Sequence, residues 1–291
     1  MDIRNIKIEA PGLSEGHLEF LYEKGEEQLQ AYKKIDDYGK YPMDVNTRKS
    51  QVILKDFIGR IIEELFEGYE SMEQVVSILS EKGFNVGALV NQECIDVLNG
   101  LQNANEEQAD ALGFFISTLL FSNILPEDIY SYGTKILGRR PSNLNELISL
   151  GASRLYVDGV IDPTDKKFIT VNKFNIFDDT MMWWLQHYGY KSDLFEYTAG
   201  FHYVSSSELD DERNQLWLVV YELNKARNLL KNRPWKQTEV MTKELEFQES
   251  LVKSFLYYLG YLADRGFDQD KIVTLFNRKQ ALNLWRINSG Y

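Results

Sequence analysis

SQVILKDFIGRIIEELFEGYESM, residues 50–72, and EQADALGFFISTLLFSNILPEDIYSYGTK, residues 107–135, decide the fold class of this 291-residue chain. In the first stretch Val52, Ile53, Phe57, Ile61, Ile62, Leu65 and Phe66 recur at helical spacing, so a helix is predicted over 50–80. The second reads as a helix over 105–122 and, after a proline suited to a first helical turn, another over 126–137. Outward from these, helices are expected at 18–36, 179–188, 208–231, 237–265 and 269–287. Between 141 and 180 the pattern weakens. Ile161-Asp162-Pro163-Thr164-Asp165 reads as a turn, and Phe168–Val171 as a short strand or hairpin arm. The expectation is an all-α helical bundle with a small irregular or β insertion near 141–180.

A weak internal repeat organises the bundle. Residues 250–279, SLVKSFLYYLGYLADRGFDQDKIVTLFNRK, follow 107–135 at an offset of 143, with Asp110 on Lys253, Ile124 on Phe267 and Ile129 on Ile272. Each copy is a long apolar helix, a turn and a second helix, and each has an upstream helix, 50–72 and 208–231. This divides the chain into a unit at 1–140, an aromatic-rich insertion at 141–205 and a second unit at 206–291.

Composition narrows the function classes. The net charge is −12, and no basic block of the kind that tracks a nucleic-acid backbone is present, so direct nucleic-acid binding is not expected. No apolar run reaches membrane-spanning length. The start, MDIRNIKIEAPG, has no apolar signal core, which points to the cytosol. Cys94 is the one cysteine, and histidine occurs only at 17, 187 and 202, so cysteine- or histidine-rich metal sites are not expected.

Carboxylates are better placed. Glu64 and Glu67 are three residues apart on one helix, and Glu107 and Asp110 repeat that spacing on another. Such pairs are common on solvated helix faces. Here Leu65 and Phe66 lie beside the first pair, and Leu112, Phe114 and Phe115 follow the second. Acids pointing inward from such helices would be costly unpaired. Two facing pairs suit Mg²⁺, a hard cation that takes oxygen ligands and shares its shell with phosphate oxygens. At the other end, Lys279, Asn283 and Arg286 are spaced four and three apart, on one helix face, and could hold phosphate. Cations near a helix C-terminus also complement its dipole.

Together these residues resemble a known family. Lys279-x3-Asn283-x2-Arg286-x3-Gly290-Tyr291 is similar to the C-terminal signature of dimeric-type dUTPases and dCTP/dUTP pyrophosphatases of bacteria and phages. Glu64-Leu-Phe-Glu67 and Glu107-Gln-Ala-Asp110 resemble their ExxE and ExxD metal motifs, and Asn232-Arg233-Pro234-Trp235-Lys236-Gln237 resembles a loop of some members. The resemblance is to the all-α NTP pyrophosphatase superfamily that includes MazG-like proteins. It implies two MazG-like units and Mg²⁺ held by Glu64, Glu67, Glu107 and Asp110, with Glu64 and Glu67 catalytic in the attack of water on a dNTP. It further implies Lys279, Asn283, Arg286 and Tyr291 on phosphate or sugar, and Gln30 on base or sugar. It leaves open whether the chain forms a homodimer or whether its two units already make the pair.

There are departures. The helices flanking the NRPWKQ-like loop carry Glu222, Lys225, Ser250 and Lys253, so lysines stand where carboxylates belong. The second unit reads as one whose metal site has decayed. The first keeps the acids but has no Asn and Arg at the proper spacing after Lys135. Acids from one unit and the basic helix from the other would make one composite site. The opposing reading is an inactive relative that binds nucleotides or a protein partner. The aromatics between 174 and 203, Trp183 and Trp184 among them, read as core or interface, or as stacking surfaces for a base.

Overall fold

The computed structural model describes residues 16–32, 41–83, 88–158, 174–175, 203–204, 208–232 and 240–289. Eight helices make up nearly all of it: α1 (His17–Tyr32), α2 (Arg48–Glu81), α3 (Asn91–Phe121), α4 (Pro126–Leu137), α5 (Leu144–Asp158), α6 (Glu208–Leu229), α7 (Glu244–Asp264) and α8 (Gln269–Ser289). The only extended structure described is β1 (Phe174–Asn175), antiparallel to β2 (Tyr203–Val204), with Phe174 opposite Val204. The fold is all-α. The strand expected at 168–171 and the helix at 179–188 lie outside the described residues, as do the aromatics between 176 and 202.

α2 is 34 residues long, about 51 Å at 1.5 Å per residue. It starts at Thr47, whose hydroxyl accepts the Ser50 N–H at 3.2 Å, a side-chain N-cap. Its core stripe keeps Ile61 and Leu65 of the expected one and adds Leu54 and Ile58 in place of Val52. Leu54, Ile58, Ile61 and Leu65 are fully buried, while Val52 is 49% exposed. Each such burial contributes about 1.5–3 kcal/mol. α4 begins at Pro126 and ends at Gly138, whose φ of 73° a side chain would oppose.

α2 and α3 form an antiparallel hairpin. The Phe57 and Phe114 rings meet edge-on at 5.6 Å, and a Cβ on Gly68 would lie 3.5 Å from the Ala104 carbonyl. α6 and α7 form a second: the Ser254 hydroxyl donates to the Val219 carbonyl at 3.0 Å, and the Gln215 amide reaches the Asp264 carboxylate. α2 runs against α6, with the Phe66 and Trp217 rings 6.1 Å apart. α1 and α8 lie together across α3. Buried His17 meets Asp270 at 2.9 Å and ties α1 to the start of α8.

The region from 141, expected to be irregular, opens instead with a helix. Asn143 accepts the Glu146 N–H at 3.1 Å, and Leu144, Leu147, Ile148, Leu150 and Leu155 are buried. Gly151 interrupts that apolar pattern because α7 crosses there. A Cβ on Gly151 would lie 2.0 Å from the Leu256 carbonyl oxygen, and one on Gly260 2.3 Å from the Gly151 carbonyl carbon. The backbones touch, and only glycine permits it.

A buried polar node joins the hairpins. The Gln51 side chain donates to the Val45 carbonyl (2.8 Å) and the Thr242 hydroxyl (2.9 Å), and accepts the Asn232 N–H (2.8 Å). Asn232 in turn donates to the Asn46 carbonyl and accepts the Val240 N–H. Among the described residues no single helix is long and apolar enough to cross a membrane.

Candidate metal and phosphate site

The α2–α3 hairpin sets the acids facing one another. Glu64, Glu107 and Asp110 each present a carboxylate oxygen, and the three oxygens lie within 4.8 Å of one another. All three residues are half-buried. Glu67, one turn on from Glu64, is exposed and lies outside that cluster, though its charge still reaches Glu64 and Glu107.

Three acids this close cannot all stay ionised cheaply. Burial first, then a hydrogen bond with Glu107 and the charge of Asp110, push Glu64 up to about 8. Burial also raises Glu107 and Asp110. Near neutral pH the Glu64–Glu107 pair therefore holds a proton between two carboxylates. An all-oxygen donor set of three carboxylates is chemically suited to a hard divalent cation.

α8 brings the basic residues to this cluster. The ammonium of Lys279, only 7% exposed, sits 2.7 Å from the Asp110 carboxylate. Arg286 is exposed, and its charge acts on Asp110. Asn283 borders the same cleft as Glu64 and Asp110, a cavity of about 410 Å³ between α1, α2, α3 and α8. Tyr291 lies outside the described residues, as do 233–239 of the NRPWKQ-like segment. Gln30 does not line the cleft: it is exposed and its amide donates to the Tyr41 hydroxyl at 3.1 Å.

The cleft also holds residues that spacing alone did not single out: Gln28 and Tyr32 of α1, Asp56 and Arg60 of α2, Phe114 and Ser117 of α3, and Gln280 of α8. Asp56 and Arg60 precede Glu64 by eight and four residues. Extending that helix face backward from Glu64 would have found them. Gln28 lies two residues before Gln30, a rotation that carries it onto the cleft face. Gln280 is 2% exposed, and its Oε1 has no hydrogen-bond partner among the described residues. A buried acceptor at a cavity wall is suited to a ligand N–H.

The corresponding face of the second hairpin differs. Glu222 is 3% exposed, with one carboxylate oxygen 2.7 Å from the Lys225 ammonium and the other 3.2 Å from that of Lys253. Lysines hold the charge balance there.

A family model described as dUTPase matches residues 169–291. That stretch contains α6, α7 and α8, with Lys279, Asn283 and Arg286. Glu64, Glu67, Glu107 and Asp110 lie outside it. No curated protein and no solved structure matches the chain.

Proposed function

From a chain whose dUTPase match and all-helical architecture fit the helical dUTPase-like NTP pyrophosphatase superfamily, we propose a nucleoside triphosphate pyrophosphohydrolase acting on dUTP or a related dNTP. Water would add across the α–β phosphoanhydride, giving the monophosphate and pyrophosphate. The observation that carries this reading is the 2.7 Å contact between Lys279 of the matched stretch and Asp110 outside it. It supports one composite site: acids from the first hairpin, phosphate-binding groups from α8.

Glu64, Glu107 and Asp110 would hold Mg²⁺, with the charge of Glu67 adding to the negative field around them. When bound, the ion would neutralise phosphoryl oxygens and acidify a water molecule. The chain's own contribution is positioning and charge. Asp110, which borders the cleft, holds the Lys279 ammonium, whose remaining N–H groups would meet phosphate oxygens. Arg286, exposed beside them, offers a planar donor fork. Asn283 supplies a neutral donor at the cleft rim. Phe114 and Tyr32 provide faces for a base, and Gln28 and Gln280 provide amides for its edge. The inward-facing carboxylates turn nucleotide phosphates away unless a cation is present, which makes metal and substrate binding interdependent.

Pyrophosphate release from a dNTP panel including dUTP, in Mg²⁺ and in EDTA, tests this. The expected result is turnover that EDTA stops and that Asp110→Asn or Glu107→Gln abolishes while the helical circular dichroism is kept. A second reading, an inactive nucleotide- or protein-binding relative, is favoured by Lys225 and Lys253 at the acid positions of the matched stretch. Folded wild-type chain without turnover on any nucleotide would decide for that reading.

A further inference from the structure

Lys279 sits on the apolar face of α8. Phe276 and Leu282, three residues to either side, are 0% and 3% exposed, and Lys279 itself is buried between them. α8 packs along α1 and is tied to it by the His17–Asp270 contact. Helix packing therefore delivers the ammonium to Asp110.

The contact is made to one oxygen. The Lys279 ammonium stands 2.7 Å from Oδ2 of Asp110. A carboxylate can give a hard cation one oxygen or both. With Oδ2 held, Asp110 has Oδ1 left to give. The second hairpin carries the same device further: Oε2 of Glu222 meets Lys225 at 2.7 Å and Oε1 meets Lys253 at 3.2 Å, so an ammonium stands on each oxygen. Charge balance keeps the Lys279 contact in place when a metal arrives. Ionised, Glu64, Glu107 and Asp110 carry three negative charges, which a divalent ion and one ammonium together offset.

The number of oxygens on offer separates the two common hard divalent ions. Mg²⁺ takes about six ligands at about 2.0–2.1 Å and keeps several waters among them. Ca²⁺ takes about six to eight at about 2.3–2.6 Å and gains from carboxylates that chelate through both oxygens. We infer that Lys279 sets the metal preference of the acidic cluster: by holding one oxygen of Asp110 it keeps that ligand unidentate and favours Mg²⁺ over Ca²⁺. The inference rests on the proposed metal site. It gives Lys279 a positioning role, exerted through Asp110, beside its phosphate contact.

Competition for Mn²⁺ on the nucleotide-free full chain tests it, with the free ion followed by electron paramagnetic resonance and the bound ion displaced by Mg²⁺ or by Ca²⁺. Wild type should bind Mn²⁺ at a site that Asp110→Asn removes. In Lys279→Met, which keeps the length of the side chain and removes its donors, the ratio of Mg²⁺ to Ca²⁺ affinity should fall by about tenfold, the low end for loss of a group that orients a metal ligand. A lysine acting through its charge alone would move both ions alike; an unchanged ratio overturns the inference and leaves the metal site standing. Should Lys279→Met fail to fold, infrared difference spectra of wild type decide, with heavy carbon in the aspartate side-chain carboxyls. Asp110 is the one aspartate of the cluster, and its carboxylate bands should report unidentate binding with either ion. A bidentate splitting with Ca²⁺ overturns the inference. Folded wild type without Asp110-dependent Mn²⁺ binding would remove the metal site itself, and this inference with it.

Discussion

Replacing Glu64 with Gln should make the metal-free protein more stable at alkaline pH and, if the proposed hydrolysis holds, remove turnover. Glu64 is held up to about 8, chiefly by burial and by its hydrogen bond with Glu107, against an ordinary 4.5. The folded state therefore binds more protons than the unfolded chain between those two values, and stability falls as pH rises through that window. A fully shielded carboxyl displaced that far would correspond to about 5 kcal/mol. Glu64 is only half-buried, and solvent screening reduces the effect to about 1–2 kcal/mol. A glutamine keeps the shape and the hydrogen bond to Glu107 but never ionises. In EDTA at pH 8.5, Glu64→Gln should melt about 2–6 °C above wild type, and at pH 4.5 the two should nearly coincide. Mg²⁺ should raise the wild-type melting temperature at pH 8.5 and leave the variant's almost unchanged. A variant that melts at or below wild type at pH 8.5 in EDTA would refute the crowded-carboxylate account of this site.

Lys279→Gln strands Asp110 in a half-buried place and should cost about 2–4 kcal/mol in urea unfolding; the double variant with Asp110→Asn should cost less than the two single changes summed. An additive result would mean that the pair does not couple. Gly260→Ala drives a methyl into the Gly151–Ala152 backbone and should cost about 2–3 kcal/mol, measured the same way. A loss under about 1 kcal/mol would show that α5 and α7 do not cross so closely. Asn232→Ala removes two side-chain hydrogen bonds from a residue 1% exposed and should cost about 2–3 kcal/mol, with faster amide exchange around Val240 as its local sign.

The long helices and both acid pairs could be read from the sequence because their signals are local. Glu64 and Glu67, like Glu107 and Asp110, share a face through helical geometry alone, whatever packs beside them. What escaped depends on distant partners. Gly151 looks like a break in α5 until Gly260 of α7 is set against it. Gln51 and Asn232, 181 residues apart, look like surface amides until they meet in the buried node. The expected stripe of α2 shares Ile61 and Leu65 with the buried one but takes in Val52 and omits Leu54 and Ile58, because the helix is apolar over much of its circumference and only the neighbours α3 and α6 decide that Leu54 goes inward and Val52 outward. Gln28 and Gln30 posed the same question on α1, and the approach of Tyr41 answers it for Gln30.

α7 has one more consequence. It is the helix on which both α5 and α6 rest, so the chain leaves its middle segment at Asp158 and re-enters at Glu208 from two supports on the same column. When the ends of a loop are fastened to one rigid part, the entropy of closing it grows only with the logarithm of its length, about 0.6 kcal/mol per doubling. The number of residues between these ends therefore adds little to the cost of closing the chain. Residues 151 and 260, which hold the column together, leave almost no room for change. Substitution should be least tolerated at these two glycines.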